Sequence, residues 1–172
     1  NIDDIYPEML MSLLQALNLA GQFSSDPRLE MPRQRLSTHL ESVNLRSVPS
    51  RKEAAVAAML KKELASHPNT DVQTSIYLHS FEADVVVTSG KRVFNIEVDG
   101  PVHLRPSRKQ FCEYRDSYLS EQHGVMVMRI SLMTTRGKGG YVFKERKDLK
   151  EEAAQVAAEI KQQSKEVSEP GR

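Results

Sequence analysis

The stretch Val93–His103, which reads VFNIEVDGPVH, decides how the fold of this chain is interpreted. Its apolar residues alternate with polar ones as far as Asp99, which is the period-two pattern of a half-buried strand. The pattern predicts that one face of the strand packs on the core and that the other carries the carboxylates of Glu97 and Asp99. A glycine and a proline then interrupt the strand. We therefore expect an acid pair and the imidazole of His103 at one strand end.

The composition of the chain excludes several classes of protein. Its 172 residues favour one main domain, and 24 Lys and Arg residues against 23 Asp and Glu residues give no strong overall charge. A single cysteine excludes an internal disulfide framework and a cysteine-based zinc cluster. No apolar run reaches the roughly 20 residues that span a bilayer. We therefore expect a soluble intracellular protein without membrane contact.

The first 48 residues predict a helical extension. Tyr6–Phe23 has apolar residues at helical spacing, and Arg33–Leu45 predicts a further short helix from sparser apolar positions. Ser24–Pro32 is expected to be a loop, because each of its prolines disfavours helix at the residue before it. Since the chain begins with asparagine rather than methionine, we expect a processed product or a fragment of a longer protein, in which the extension would be the end of a larger helical region.

Residues 49–167 are predicted to form the main domain, and residues 168–172 a disordered tail. A capping box starts a helix over Arg51–Ala65. The apolar run Val125–Ile130 is expected to be a strand inside the sheet, buried on both faces. The other predicted elements are strands Val72–His79, Glu82–Thr88 and Arg92–Asp99, with a hairpin turn at Ser89 and Gly90, helix Pro106–Gln122, a flexible basic loop Thr134–Gly140 and helix Lys147–Val167.

The predicted order of elements resembles the core of the restriction-endonuclease-like proteins: helix, three-stranded antiparallel meander, helix, strand, helix. In that family, acids on the first helix, the second strand and the third strand assemble a divalent-metal site, and Glu53, Asp84 and Glu97 match these positions. The predicted hairpin places Asp84 across from Asn95 and diagonal to Glu97, on one face. The resemblance implies an α/β fold of this type. It also implies that Asp84 and Glu97 bind Mg²⁺ or Mn²⁺ if the protein is a nuclease, and that no cofactor is needed otherwise.

More narrowly, Ile96–His103, which reads IEVDGPVH, resembles the signature of the RAP domain. The pattern of that family continues with an arginine-bearing helix, a glycine and an apolar strand, which match Arg115, Gly124 and the run that ends at Ile130. The resemblance covers about residues 82–130. It implies RNA binding in organellar RNA metabolism, with RNA favoured over DNA as the partner and a mitochondrion or plastid as the location.

Two departures from these families bear on the mechanism. The tryptophan expected soon after the last strand is absent, and Asp99 stands where a typical nuclease of the fold has a lysine that activates water. In a nuclease, Asp84 and Glu97 would hold the metal while His103 protonates the leaving oxygen. RNA binding is therefore the main hypothesis. The alternatives are a metal-dependent endonuclease that hydrolyses RNA or DNA, and a protein-interaction module on an inactive nuclease scaffold.

Simpler interpretations of the same acidic residues and histidine stay open. Glu53 belongs to the capping box, which needs no function beyond starting the helix. Asp84 and Glu97 have the spacing of ordinary solvent-facing strand residues. Asp99 suits a turn cap, and a histidine such as His103 more often makes a structural hydrogen bond than a catalytic one.

The candidate nucleic-acid contacts are basic residues that follow the acid pair or lie on a glycine-flanked loop. Arg115 is the strongest candidate, because a guanidinium at this family position can bridge a phosphate or orient an active-site carboxylate. For Lys109 and the loop, an ordinary solvated surface is an equally simple interpretation. The candidates are Arg105, Arg108, Lys109, Arg115, Arg136 and Lys138.

Overall fold

The computed structural model describes residues 13–14, 16–17, 27–42, 48–79, 81–101, 106–136 and 140–166. The chain divides into two compact units, one of Asn1–Ser47 with Tyr77–Glu82 and one of Val48–Ile76 with Ala83–Arg172. No helix in these described ranges is both long and apolar enough to cross a membrane. The tail predicted over residues 168–172 lies outside them.

The described residues before residue 43 are helical. Residues 13–14 and 16–17 are helical within the predicted helix Tyr6–Phe23, and the rest of that prediction lies outside the described residues. A 3-10 turn at Pro27–Leu29 leads into helix α1, Glu30–Ser42. The helix predicted over Arg33–Leu45 is therefore confirmed as far as Ser42, and it begins three residues earlier than expected.

The prediction of a loop over Ser24–Pro32 is wrong from Pro27 onward, because the chain is already helical there. Pro32 is the third residue of α1. The backbone N–H groups of a first helical turn have no partner within the helix, so proline loses no hydrogen bond at this position. The preference against helix at the residue before a proline is not decisive here, because Met31 is helical although Pro32 follows it.

From residue 48 onward the elements are α2 Arg51–Leu64, β1 Thr70–Leu78, β2 Phe81–Ser89, β3 Arg92–Asp99, α3 Pro106–His123, β4 Met126–Ser131, β5 Met133–Arg136, β6 Gly140–Phe143 and α4 Arg146–Glu166. The first four strands form one sheet in the order β1-β2-β3-β4. β3 is antiparallel to β2 and parallel to β4. The protein is therefore an α/β protein with a mixed four-stranded sheet in its described part.

The strand β4 forms an edge of this sheet, so the prediction that Val125–Ile130 is an inner strand is wrong. In the described chain β4 pairs with β3 alone, and Met126, Val127 and Met128 are only half-buried. The predicted run also contains Arg129, whose charge is ordinarily excluded from the middle of a sheet. An apolar run with one arginine therefore indicates an edge strand here.

The segment predicted as a flexible loop over Thr134–Gly140 instead belongs largely to a second, two-stranded sheet. β5 and β6 are antiparallel, with Met133 opposite Phe143 and Thr135 opposite Tyr141. The threonines and aromatic residues of these strands have high β-propensity, which explains the pairing. Residues 137–139, which connect the two strands, lie outside the described part of the chain.

The core of the second unit packs helices α2 and α4 against one face of the four-stranded sheet. On β3 this face carries the apolar half of the alternation, as predicted from the period-two pattern. Burial of apolar side chains from the two helices and the sheet stabilises the unit by the hydrophobic effect. The central members of this core are Val56 and Leu60 of α2, Val85, Phe94, Ile96 and Ile130 of the sheet, and Ile160 of α4.

Candidate functional site

The polar face of β3 is buried as well. Asn95 and Glu97 are each 1% exposed, and Arg115 of α3, which contacts Glu97, is 3% exposed. The simpler interpretation that Glu97 is an ordinary solvent-facing strand residue is therefore wrong. Burying a charge without a partner is costly, so the placement of Glu97 requires a compensating cation.

Glu97 and Arg115 form a buried ion pair. The guanidinium Nη2 of Arg115 lies 2.7 Å from Oε2 of Glu97, and the side-chain amide of Asn95 donates to Oε1 at 2.8 Å. Burial alone lowers the pKa of Arg115, but the carboxylates of Glu97 and Asp116 outweigh it and raise that pKa, so the guanidinium stays charged. Both oxygens of Glu97 are thus held, which fixes the orientation of the carboxylate.

The ion pair continues into a network of five charged side chains, Glu97, Arg115, Asp116, Arg129 and Asp99. Nε and Nη2 of Arg115 donate to Oδ1 of Asp116 at 3.2 and 3.1 Å. Nη1 of Arg129 donates to both oxygens of Asp99 at 2.8 and 2.9 Å, while its Nη2 contacts Oδ2 of Asp116. The charges alternate in sign along the network, which connects β3, α3 and β4.

Arg129 and Asp116 are members of the site that sequence reasoning missed. A signal for Arg129 was present, since it is the one charged residue in an apolar run and it lies beside Glu97 in the parallel register. Asp116 directly follows the predicted Arg115. Asp99 replaces the lysine of a typical nuclease, so the sequence does not say whether a cation lies beside it. The ion pair shows that Arg129 is such a cation.

Asp84 lies on the same sheet face as Glu97, but the predicted register is wrong. Val86, not Asp84, is opposite Asn95, so the pairing of β2 with β3 differs from the predicted one by two residues. Because side chains alternate between the two faces of a strand, a shift of two leaves Asp84 on the predicted face. Oδ2 of Asp84 accepts a hydrogen bond from the backbone N–H of Val98 at 2.7 Å. Burial, followed by repulsion from Glu97, raises the pKa of Asp84 from 3.8 to about 7. Asp84 is therefore partly protonated near neutral pH.

Glu53 performs the capping role predicted for it. Its backbone N–H donates to the Ser50 hydroxyl at 3.2 Å, and its carboxylate accepts from the Ser50 backbone N–H at 2.9 Å and from the hydroxyl at 2.8 Å. The reciprocal bonds of the capping box are thus present at the start of α2. Glu53 also contributes to the raised pKa of Asp84, so its charge acts on that carboxyl.

Two of the predicted metal-site acids, Glu97 and Glu53, have their oxygens already in use. The described residues contain no group of three or more histidine, cysteine, aspartate or glutamate side chains that suits a metal. The oxygens of Glu97 are taken by Asn95 and Arg115, and those of Glu53 by Ser50. The buried Oδ1 of Asn95 has no hydrogen-bond partner, but it is an amide oxygen, whereas Mg²⁺ is usually held by one or two carboxylates together with water and phosphate oxygens.

The structure places the predicted basic residues and the histidine in three ways. Arg115 is buried against Glu97, which agrees with the interpretation that it orients a carboxylate. Arg108 and Lys109 lie near the start of α3, and Arg136 ends β5 opposite Gly140. The three remaining candidates lie outside the described residues; they are His103, Arg105 and Lys138.

The fold and the site together define an α/β protein whose mixed sheet carries a partly buried network of carboxylates and arginines. Comparison of the chain with models of protein families, with curated proteins and with solved structures found no match. We therefore infer the function from the network and from the charges around it.

Proposed function

We propose that this protein binds RNA and acts in RNA metabolism, through a RAP-type domain with a restriction-endonuclease-like core. The proposed contact is the segment from Gly100 to Lys109, directly after the network. The motif of Ile96–His103 and the order of the elements favour this family, and with it a mitochondrion or plastid as the location. The observation that carries the proposal is that the acids just before this segment have cationic partners: Arg115 pairs with Glu97, and Arg129 pairs with Asp99.

Unpaired acids at this position would repel a phosphate backbone. Arg115 and Arg129 offset two of the three negative charges of Glu97, Asp116 and Asp99, and the raised pKa of Asp84 removes part of a further charge near neutral pH. The five side chains of the network therefore carry one net negative charge instead of three. Binding of an RNA strand beside it needs no metal ion.

The segment that follows the network carries the positive charge that RNA requires. Residues 100–112 contain Arg105, Arg108 and Lys109 and no acidic residue. The first turn of the 18-residue helix α3 also contains no acid of its own that would offset the positive end of the helix dipole. Basic side chains attract phosphate groups, and the free backbone N–H groups at a helix start can bind them. The presence of both in one short segment therefore favours phosphate binding.

The double variant Arg108→Glu/Lys109→Glu is expected to bind RNA more weakly than the unchanged protein. Two lost phosphate contacts reduce the slope of log K against log salt by about 1.4 for a single strand. Fluorescence anisotropy with labelled single-stranded RNA at several salt concentrations measures both quantities. The matched control is Lys61→Glu/Lys62→Glu, which reverses two exposed charges in the last turn of α2 and is expected to change neither quantity.

Equal losses of affinity in the two double variants would mean that only the overall charge matters, and would contradict the proposed contact. The same titration with DNA measures the preference for RNA. An unchanged protein that binds neither RNA nor DNA at low salt would instead favour the protein-interaction module on the same scaffold.

A metal-dependent endonuclease is the second candidate, and the raised pKa of Asp84 is the observation that favours it. Carboxyl groups with strongly shifted pKa values concentrate at active sites. Under the RNA-binding proposal we expect labelled RNA to stay intact with Mg²⁺ or Mn²⁺, because both oxygens of Glu97 are already held. Product that forms with the unchanged protein and disappears with Asp84→Asn, while binding persists, would establish the nuclease instead.

A further inference from the structure

The hairpin of β5 and β6 exposes two aromatic rings on one face. Tyr141 is 53% exposed and Phe143 is 55% exposed. They are two residues apart on β6, so their side chains point to the same side of the strand. Among the side chains that the structure describes, the other large apolar groups with comparable exposure are not aromatic; they are Leu13, Met31 and Val48.

A cation already lies against this face. Nζ of Lys52, near the start of α2, is 3.3 Å from the centroid of the Phe143 ring. This cation–π contact holds an ammonium group beside the ring, although more than half of the Phe143 surface stays exposed. The face therefore combines an aromatic surface with a positive charge.

The sequence around the hairpin is strongly basic. Residues 134–147, which read TTRGKGGYVFKERK, contain five cations and one acid. Lys144 is paired with Glu152 at 2.6 Å and Lys147 with Glu151 at 3.9 Å, and both Arg146 and Lys147 are exposed in the first turn of α4. An apolar face alone fits many partners, but this excess of cations selects for a polyanion.

We propose that Tyr141 and Phe143 form a stacking platform for the bases of single-stranded RNA, while the exposed cations Lys52, Arg146 and Lys147 bind its phosphates. The inference rests on the proposed function and adds a second contact surface to it. A single strand is required because the bases of a duplex are already stacked on one another. Aromatic side chains between cations are the usual means of binding single strands.

The variant Tyr141→Trp tests stacking directly, since the natural chain contains no tryptophan and the new indole is a unique reporter. Single-stranded RNA is expected to quench its fluorescence, because a base stacks on the ring. An abasic oligonucleotide of the same length and charge is expected to bind without quenching. Equal quenching by the two oligonucleotides, or quenching by neither, would overturn the stacking platform.

The variant Tyr141→Ala/Phe143→Ala tests how much the platform contributes. Loss of one stacked base weakens single-strand affinity about 5- to 140-fold, and we expect at least this loss. Tyr141→Phe keeps the ring and is expected to bind like the unchanged protein. Thr134→Ala, on the opposite face of the hairpin, is the matched control and is also expected to have no effect. The replaced side chains are exposed, so urea unfolding of each variant is expected to match that of the unchanged protein.

The two proposals fail in different ways. If Arg108→Glu/Lys109→Glu weakens RNA binding and Tyr141→Ala/Phe143→Ala does not, the platform is overturned and the proposed function stands. The hairpin face would then be assigned to a protein partner. If the unchanged protein binds no RNA at low salt, both proposals are overturned.

Discussion

Replacing Arg115 with methionine is expected to lower the free energy of unfolding by about 3–5 kcal/mol, because the change leaves Glu97 buried and unpaired. Methionine keeps most of the length of the side chain, so the effect reports the lost charge rather than a cavity. Arg115 also contacts Asp116, so its loss disturbs a second carboxylate. Urea unfolding followed by circular dichroism measures the difference.

Two further variants separate the lost ion pair from other effects. Arg115→Met/Glu97→Gln removes both charges of the pair and is expected to regain much of the lost stability, since no unpaired charge stays buried. Lys147→Met makes the same kind of replacement at a side chain that is 82% exposed, and is expected to change stability by less than about 0.5 kcal/mol. An Arg115→Met protein as stable as Lys147→Met would contradict the buried ion pair.

Replacing Asp84 with asparagine is expected to stabilise the protein above pH 7 by about 2–4 kcal/mol. The pKa of Asp84 rises from 3.8 to about 7 on folding. Between these pH values the folded protein keeps a proton that the unfolded chain has released, so unfolding becomes easier as the pH rises. Asparagine has no charge to lose, and its oxygen can still accept the hydrogen bond from Val98.

The pH dependence is the decisive measurement for Asp84. Below about pH 4 Asp84 is protonated in both states, so Asp84→Asn and the unchanged protein are expected to have nearly equal stability. The difference should grow between about pH 4 and pH 7 and then level off. Asp71→Asn replaces an exposed carboxyl on β1 and serves as the control. A pH-independent difference between Asp84→Asn and the unchanged protein would contradict the raised pKa.

Local sequence patterns predicted the elements of the second unit well. Each predicted helix and core-sheet strand lies within two residues of an observed one, since hydrophobic period and capping are local properties. The capping box of Glu53 and the apolar face of β3 are examples. The hairpin of β5 and β6 was missed because its strands have only four residues each, too few for a clear period.

The register and the burial of the site depend on contacts that a local pattern does not contain. Ser89 pairs with Arg92, so Gly90 and its successor form the turn, and Gly90 has a positive φ of 61°. Moving a predicted turn by one residue shifts the pairing by two and keeps every side chain on its face. This is why Asp84 was assigned to the correct face and to the wrong partner.

The partners of Glu97 were beyond local prediction for a different reason. Arg115 lies 18 positions from it along the chain, and their contact depends on how α3 packs across the polar face of β3. Alternation in β3 separates apolar from polar residues, but it does not say whether a helix covers the polar side. The sequence of β3 therefore looks the same whether its acidic face is covered by a helix or exposed to solvent.

The alternating network also constrains how this sequence can change over generations. Removing either arginine leaves neighbouring carboxylates without compensation, and removing Glu97 leaves Arg115 with one carboxylate fewer in a buried place. Single replacements within the network therefore cost stability, although coordinated replacements need not. A lineage that exchanges these residues for apolar ones must pass through less stable intermediates, so the five charges are expected to be inherited as a unit.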